Sequence, residues 1–108
     1  MSRMEQINEQ LSQELASLIN ELVEMPDALI TVTRVKCSAN LREATVMISV
    51  LPDNLTGTAL KQVKKQNTNI CKHLNKRLVL KNMPRLRWQI DPTEREAEEI
   101  EQAIRNLE

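Results

Sequence analysis

The stretch VKKQNTNICKHLNKRL, residues 63–78, consists of two helix-forming runs that flank a polar segment, Gln-Asn-Thr-Asn, at 66–69. Apolar residues recur at helical spacing on both sides of that segment and mark one face of each run. These apolar residues are Ala59, Leu60 and Val63 before the segment, and Ile70, Leu74 and Leu78 after it. The lysines fall on the opposite faces, so the pattern predicts two short amphipathic helices that each turn a basic face outward.

The polar segment predicts how the two helices are connected. It contains no glycine, but Asn tolerates the left-handed backbone conformation that a glycine often adopts. Asn67 or Thr68 can also cap the second helix by accepting a backbone N–H at its start. We therefore expect a kink at Gln66-Asn67-Thr68.

Upstream of these helices, the sequence predicts one helix and a β-hairpin. Residues 3–24 carry apolar residues at helical spacing and are followed by Pro26, which ends the helix. Two β-branched, alternating runs at 29–38 and 43–51 then predict two antiparallel strands. The residues expected on the inward face are Thr31, Thr33, Val35 and Cys37 in the first strand, and Ala44, Val46, Ile48 and Val50 in the second.

Downstream, residues 84–90 alternate again and predict a third strand, with Leu86, Trp88 and Ile90 on one face. The segment that begins with Asp91-Pro92 is typical of a helix start, with Asp91 as N-cap, and a final helix is predicted from there. The element order is α-β-β-α-α-β-α. We interpret the chain as a single α+β domain over residues 1–108.

Several classes of function find no support in the composition. There is no run of 18 apolar residues and no basic-then-apolar leader, so we expect no membrane association and a cytoplasmic location. Cys37 and Cys71 form no C-x-x-C pair and are expected to be free thiols rather than a disulfide or a metal site. His73 is the only histidine. We expect neither catalysis nor a cofactor.

The charges are sorted along the chain although the net charge is zero. Residues 54–90 hold nine Lys and Arg and no Asp or Glu, whereas the acids concentrate in 1–24 and 91–108. Clustered cations of this kind favour a polyanion, because binding releases the counterions of its phosphates. The candidate binding residues in this block are Lys61, Lys64, Lys65, Lys72, His73, Lys76, Arg77, Lys81, Arg85 and Arg87.

The kind of polyanion follows from the scarcity of aromatic residues. Proteins that read single-stranded bases stack them on aromatic side chains. The only aromatic residue is Trp88, which alternates in phase with Leu86 and Ile90 and is expected in the core. Recognition should therefore depend on phosphates and shape, as in structured RNA or a ribonucleoprotein surface.

Taken together, these elements resemble the ribosome-binding factor A family of bacterial small-subunit assembly factors. The resemblance covers nearly the whole chain and includes VTRVKCSANLREATVMISVL at 32–51, with Asn40-Leu41 where the family usually has Asp-Leu. Ile70 to Leu80 matches the family's second central helix. Pro84, Leu86 and Trp88 fit its Pro-x-Leu-x-Phe strand, and Asp91 its aspartate after that strand.

The resemblance implies a type II KH-like fold with a three-stranded mixed sheet packed on helices. The family's Ala-x-Gly kink aligns with Gln66-Asn67-Thr68, so the Ala and the Gly are both absent here. It implies that Asn67 and Thr68 belong to the RNA-binding surface. The implied function is to bind the immature small (30S) ribosomal subunit and to assist 5′-end maturation of its 16S rRNA, most of all in the cold. The expected partners are this subunit and its rRNA, and we expect a monomer.

Two alternatives remain open at this stage. A general KH-like module that binds another structured RNA would show the same basic surface. An interaction protein could instead dock a basic partner on its acidic terminal helices, and the basic block would then be incidental.

Overall fold

The computed structural model describes residues 2–79 and 82–92 of the chain. Within them lie three helices, three strands and one short 3-10 turn, in the predicted order. Their bounds are α1 Arg3–Leu22, β1 Leu29–Cys37, β2 Glu43–Leu51, the 3-10 turn Asp53–Leu55, α2 Thr56–Lys65, α3 Asn67–Arg77 and β3 Arg85–Ile90. The helix predicted to follow Asp91 lies outside the described residues.

The three strands form one mixed sheet in the order β1-β2-β3. β1 and β2 pair antiparallel, whereas β2 and β3 pair parallel. A parallel pair needs a long crossover, and α2 and α3 supply it. α1 packs against β1 and α3, and α2 packs against β2 and β3. The predicted α+β class, mixed sheet and type II KH-like arrangement are confirmed.

A capping interaction fixes the start of α1. Ser2 is the N-cap, and its hydroxyl accepts a hydrogen bond from the backbone N–H of Glu5 at 3.1 Å. The helix ends at Leu22, four residues before Pro26. Its inner face is completely buried at Leu11, Leu15 and Leu18. The predicted amphipathic helix is confirmed.

A β-bulge interrupts the alternation of β1. Val32 pairs with Ile48, but the next pair along the strands joins Arg34 to Met47. Thr33 is therefore an extra residue on β1 that no residue of β2 opposes. A bulge of this kind reverses which residues of a strand point to a given face of the sheet.

The bulge makes part of the sequence prediction wrong. Val35 and Cys37, after the bulge, are buried as predicted. Thr31 and Thr33 are exposed, and Ile30 is the partly buried neighbour on the inward face. The prediction assumed one unbroken alternation along β1. Because Thr33 is an extra residue, the side chains that precede it point to the opposite face from the one predicted.

The core lies between the helices and one face of the sheet. The predicted apolar faces of α2, α3, β2 and β3 are all turned toward it. Its largest fully buried side chains are Leu11, Leu15, Leu18, Val46, Ile48, Val63, Ile70 and Leu74. In the described part of the chain, no helix is long and apolar enough to cross a membrane.

Both cysteines are free thiols, as predicted. Cys37 is buried and Cys71 is partly buried. Burial raises the pKa of each thiol above its usual value, because it disfavours the charged thiolate. At neutral pH both therefore remain in the unreactive protonated form.

Leu74→Ala tests the packing of α3 against the core. Leu74 is completely buried, so the substitution should lower the free energy of unfolding by about 2–5 kcal/mol. Asn75→Ala, on the exposed side of the same helix, should change it by less than about 0.5 kcal/mol. Urea denaturation followed by circular dichroism measures both. Equal midpoints for the two variants would contradict the assigned helix face.

Candidate nucleic-acid interface

A single residue separates α2 from α3. Gln66 has φ −88° and ψ 2°, and it joins Lys65 to Asn67, the first residue of α3. Its N–H donates to the carbonyl oxygens of Gln62 and Val63, both at 3.1 Å, and thereby closes α2. Its own carbonyl accepts from the N–H of Ile70 at 2.9 Å and opens α3. The predicted break between the two helices is present and lies at Gln66.

The kink is not built by the predicted caps. The N-cap of α3 is Gln66, and it has no side-chain capping hydrogen bond. No residue of the break adopts a left-handed backbone; among the described non-glycine residues, Leu41 alone has a positive φ. Asn67 and Thr68 already lie inside α3, so the roles predicted for them as caps are wrong. A break near φ −90° and ψ 0° lies in the bridge region and needs no left-handed residue.

The side chain of Asn67 has a different partner. Its Oδ1 accepts a hydrogen bond from the indole Nε1–H of Trp88 at 2.9 Å. Trp88 is only 6% exposed, so its predicted core role is confirmed. A buried indole N–H requires an acceptor. Asn67, the first residue of α3, supplies it. The bond ties the first turn of α3 to β3.

A groove of about 630 Å³ lies between the interhelical break and β3. Lys64 and Asn67 line its helical side. β3 is an edge strand in the sheet order and lines the opposite side with Arg85, Arg87 and their neighbours. Glu43 is the acid in this lining, and it lies 3.8 Å from Arg87 in an exposed ion pair. The groove is therefore predominantly basic and open to solvent.

Of the predicted lysines on the two helices, Lys64 lines this groove, and the others lie elsewhere on α2 and α3. All of them are exposed, whereas the apolar residues of the same helices are buried or half-buried. They are Lys61, Lys64 and Lys65 on α2, and Lys72 and Lys76 on α3. Among the other predicted residues, Thr68 is exposed. Half-buried His73 places its ring Nδ1 2.8 Å from the carbonyl oxygen of Asn69, and Lys81 lies outside the described residues.

The structure separates Arg77 from the other candidate cations. Its guanidinium forms ion pairs with Glu21 at 2.8 Å and with Glu14 at 3.4 Å, both on α1. The hydrogen bond that the Arg77 guanidinium donates to the Glu21 carboxylate is the main reason that the pKa of Arg77 is raised further. Arg77 therefore connects α3 to α1, and its role in RNA binding stays a prediction. The sequence prediction missed this contact since the partners lie more than 50 residues away.

Two cations on β1, Arg34 and Lys36, lie outside the basic block of residues 54–90 but near Arg85 and Arg87 in the sheet. In the strand register, Lys36 pairs with Thr45, and Thr45 pairs with Arg87. Arg34 lies one row further along β1 and is exposed like Lys36. Alternation alone predicted that both point outward. Their proximity to β3 depends on the strand order, which the sequence did not indicate.

Comparison with known proteins identifies the family. The family model described as ribosome-binding factor A matches residues 3–104. The chain belongs to the ribosome-binding factor A family. A ribosome-binding factor A from Akkermansia muciniphila is 28% identical over 89 residues, which cover 82% of this chain and 71% of that protein.

Solved structures of ribosome-binding factor A share the fold. The crystal structure of the Thermus thermophilus protein superposes with a TM-score of 0.73 at 24% identity, over 81% of this chain and 93% of that one. A homology model of Thermus thermophilus ribosome-binding factor A, fitted into the cryo-EM map of a 30S complex, has a TM-score of 0.69 at 24% identity. That match covers 79% of this chain and 91% of the other.

A double-mutant cycle tests the link between Asn67 and Trp88. Asn67→Ala should cost about 1–3 kcal/mol of unfolding free energy, because it leaves a buried indole N–H without its acceptor. In a Trp88→Phe background the same substitution should cost less, since no indole N–H remains. Urea denaturation of the four proteins gives the coupling energy, which is expected at about 0.5–3 kcal/mol. Strictly additive effects would show that the hydrogen bond contributes no stability.

Proposed function

We propose that this chain binds the small (30S) ribosomal subunit by contacting phosphates of its rRNA around the interhelical break. The observation that carries the proposal is the convergence of cations on the basic groove and on the outer faces of α2 and α3. Membership in the ribosome-binding factor A family supports it. The fit of a relative's homology model into a 30S complex supports the choice of subunit.

The chemistry of the surface favours phosphates over bases. Trp88 is the only aromatic residue of the chain and is buried, so no aromatic side chain is available to stack on a base. Lysine and arginine side chains bind phosphate oxygens through charge-assisted hydrogen bonds. Recognition then depends on the shape of a folded RNA rather than on its sequence.

The start of α3 adds to the attraction for phosphates. The first backbone N–H groups of a helix have no partner within it, and the helix dipole places partial positive charge there. The N-cap Gln66 provides no side-chain capping hydrogen bond at this end. An incoming phosphate oxygen can therefore accept from these N–H groups while Lys64 and Lys65 neutralise its charge.

The family, rather than the geometry of the site, supports the proposed role in the cell. The proposed role is assembly of the small subunit, with assistance to 5′-end maturation of 16S rRNA. Transient binding by a cytoplasmic monomer fits this role, because the factor must leave before translation begins.

Sedimentation of a cell lysate through a sucrose gradient tests the proposed function. The chain should travel with free small subunits and be absent from full ribosomes. Chemical cross-linking followed by mapping of the modified nucleotides would then locate the rRNA contact. Sedimentation away from subunits, together with binding to another structured RNA, would instead identify a general KH-like RNA-binding module.

Lys72→Glu with Lys76→Glu should abolish co-sedimentation with small subunits. Both side chains are exposed and one helical turn apart, so the stability of the fold should change by less than about 0.5 kcal/mol for each substitution. The matched control, Lys72→Arg with Lys76→Arg, keeps the charge and should retain binding. Binding titrations at several salt concentrations give the number of phosphate contacts. Each contact contributes about 0.7–0.9 to the slope of the logarithm of the binding constant against the logarithm of the salt concentration. If the Lys72→Glu, Lys76→Glu variant bound small subunits as well as the wild type does, this face of α3 would not be part of the binding surface.

A further inference from the structure

A small hollow lies between β1 and β2 and shares no lining residue with the basic groove. It has a volume of about 260 Å³ and is lined by Arg34, Lys36, Thr45 and Met47. Across the antiparallel strands Arg34 pairs with Met47, and Lys36 pairs with Thr45. The two cations are exposed, and the two β2 residues are half-buried. We call this feature the outer hollow.

The outer hollow is on the side of the sheet that faces away from the core. Val35 lies between the two cations in β1, and Val46 lies between Thr45 and Met47 in β2. Both valines are buried, and successive side chains of a strand point to opposite faces of the sheet. The helices α1, α2 and α3 contribute to the core on the valine side. The lysines on the outer surfaces of α2 and α3 therefore lie on the opposite side of the domain from the outer hollow.

No acid of the described residues neutralises the two cations of the outer hollow. The ion pairs of that part of the chain involve Arg77 and Arg87, and neither Arg34 nor Lys36 takes part in one. Residues two apart on a strand lie about 6.6 Å from each other, and like charges at such a distance repel. An anion between Arg34 and Lys36 replaces this repulsion by the attraction of both cations to a shared partner.

The side chains of the outer hollow are of the kinds that bind a phosphate group. Arg34 offers a planar fork of N–H donors, and Lys36 offers a compact positive charge. The hydroxyl of Thr45 adds a donor without charge. Hydrogen bonds from cations to phosphate oxygens are among the strong ones in proteins. The lining contains no carboxylate, so it does not supply the ligands that a hard metal cation prefers.

We propose that the outer hollow binds a backbone phosphate of rRNA through Arg34, Lys36 and Thr45. This phosphate belongs to a different segment of RNA from the one that the helical lysines contact, because the two surfaces face opposite ways. The chain thus holds two rRNA segments at a fixed separation. In its choice of RNA as the ligand, the inference rests on the proposed function. Phosphate binding in the outer hollow can be measured without any subunit.

Amide NMR during titration with a short RNA duplex tests the site in the isolated protein. The signals of Lys36 and Thr45 should shift and saturate, and Arg34→Glu should abolish these shifts. The matched control Arg3→Glu makes the same substitution at an exposed position of α1 and should keep them. Absent shifts at both residues in the starting protein would overturn the site. Stronger shifts with phosphatidylglycerol vesicles than with RNA would overturn RNA as the ligand and assign the hollow to a membrane surface.

Directed hydroxyl-radical cleavage tests whether two segments of rRNA are contacted. An iron–EDTA reagent is attached through Thr31→Cys on β1 or through Asn75→Cys on α3, both at exposed positions. The background carries Cys71→Ser, and Cys37 is buried and protonated, so that only the introduced thiol reacts. The two positions should cut separate segments of the rRNA in small subunits. Cuts from position 75 alone, or the same nucleotides from both positions, would overturn the second segment.

The affinity for small subunits separates this inference from the proposed function. Arg34→Glu with Lys36→Glu should lower it about tenfold and reduce the salt slope by about 1.4–1.8, the contribution of two phosphate contacts. Arg34→Lys with Lys36→Arg keeps both charges and should bind like the wild type. Wild-type affinity in the Glu variant would overturn the second segment and leave the proposed function standing. RNA-induced shifts at the outer hollow of a protein that binds no small subunit would overturn the proposed function alone.

Discussion

The hydrogen bond between the Trp88 indole and Asn67 connects the parts of the molecule on which the candidate site depends. It joins β3, the last strand, to the first turn of α3 at 2.9 Å. A buried N–H that loses its acceptor costs about 1–3 kcal/mol. Because one partner lies in the core and the other at the break, this bond fixes the distance between the break and the edge strand. That distance defines the width of the basic groove.

The chain forms a break between α2 and α3 without the residues that the resemblance implies there. The resemblance implies an Ala-x-Gly kink and a Pro-x-Leu-x-Phe strand, whereas here the corresponding residues are Gln66-Asn67-Thr68 and Trp88. A Phe needs no acceptor, but a Trp does, and Asn at the middle position supplies it. The backbone break itself falls at Gln66 in the bridge region, where any residue other than proline can be accommodated. The glycine is then unnecessary, because no residue of the break has a positive φ.

Local patterns predicted the elements and their buried faces, since helical and strand periodicities are properties of single segments. They predicted α3's stripe at Ile70 and Leu74 and the inward Trp88, all of which are buried. They failed where a residue's role depends on a distant partner. Thr33 is exposed because of a bulge, which exists only once β1 and β2 pair. Asn67 and Arg77 are engaged by Trp88 and by α1, and no spacing along the chain encodes those contacts.

The bulge at Thr33 also determines what each face of the sheet carries. Without the extra residue, an unbroken alternation starting from Ile30 and Val32 would turn Arg34 and Lys36 toward the core and Val35 and Cys37 toward solvent. Burying two unpaired cations would cost far more than the hydrophobic contacts could offset. The bulge thus lets one strand serve an apolar core and still present its cations outward. At the bulge, the hydroxyl of Thr33 lies 3.3 Å from the carbonyl oxygen of Met47 and 2.6 Å from the carboxylate of Asp91, so this residue connects β1 both to β2 and to the end of β3.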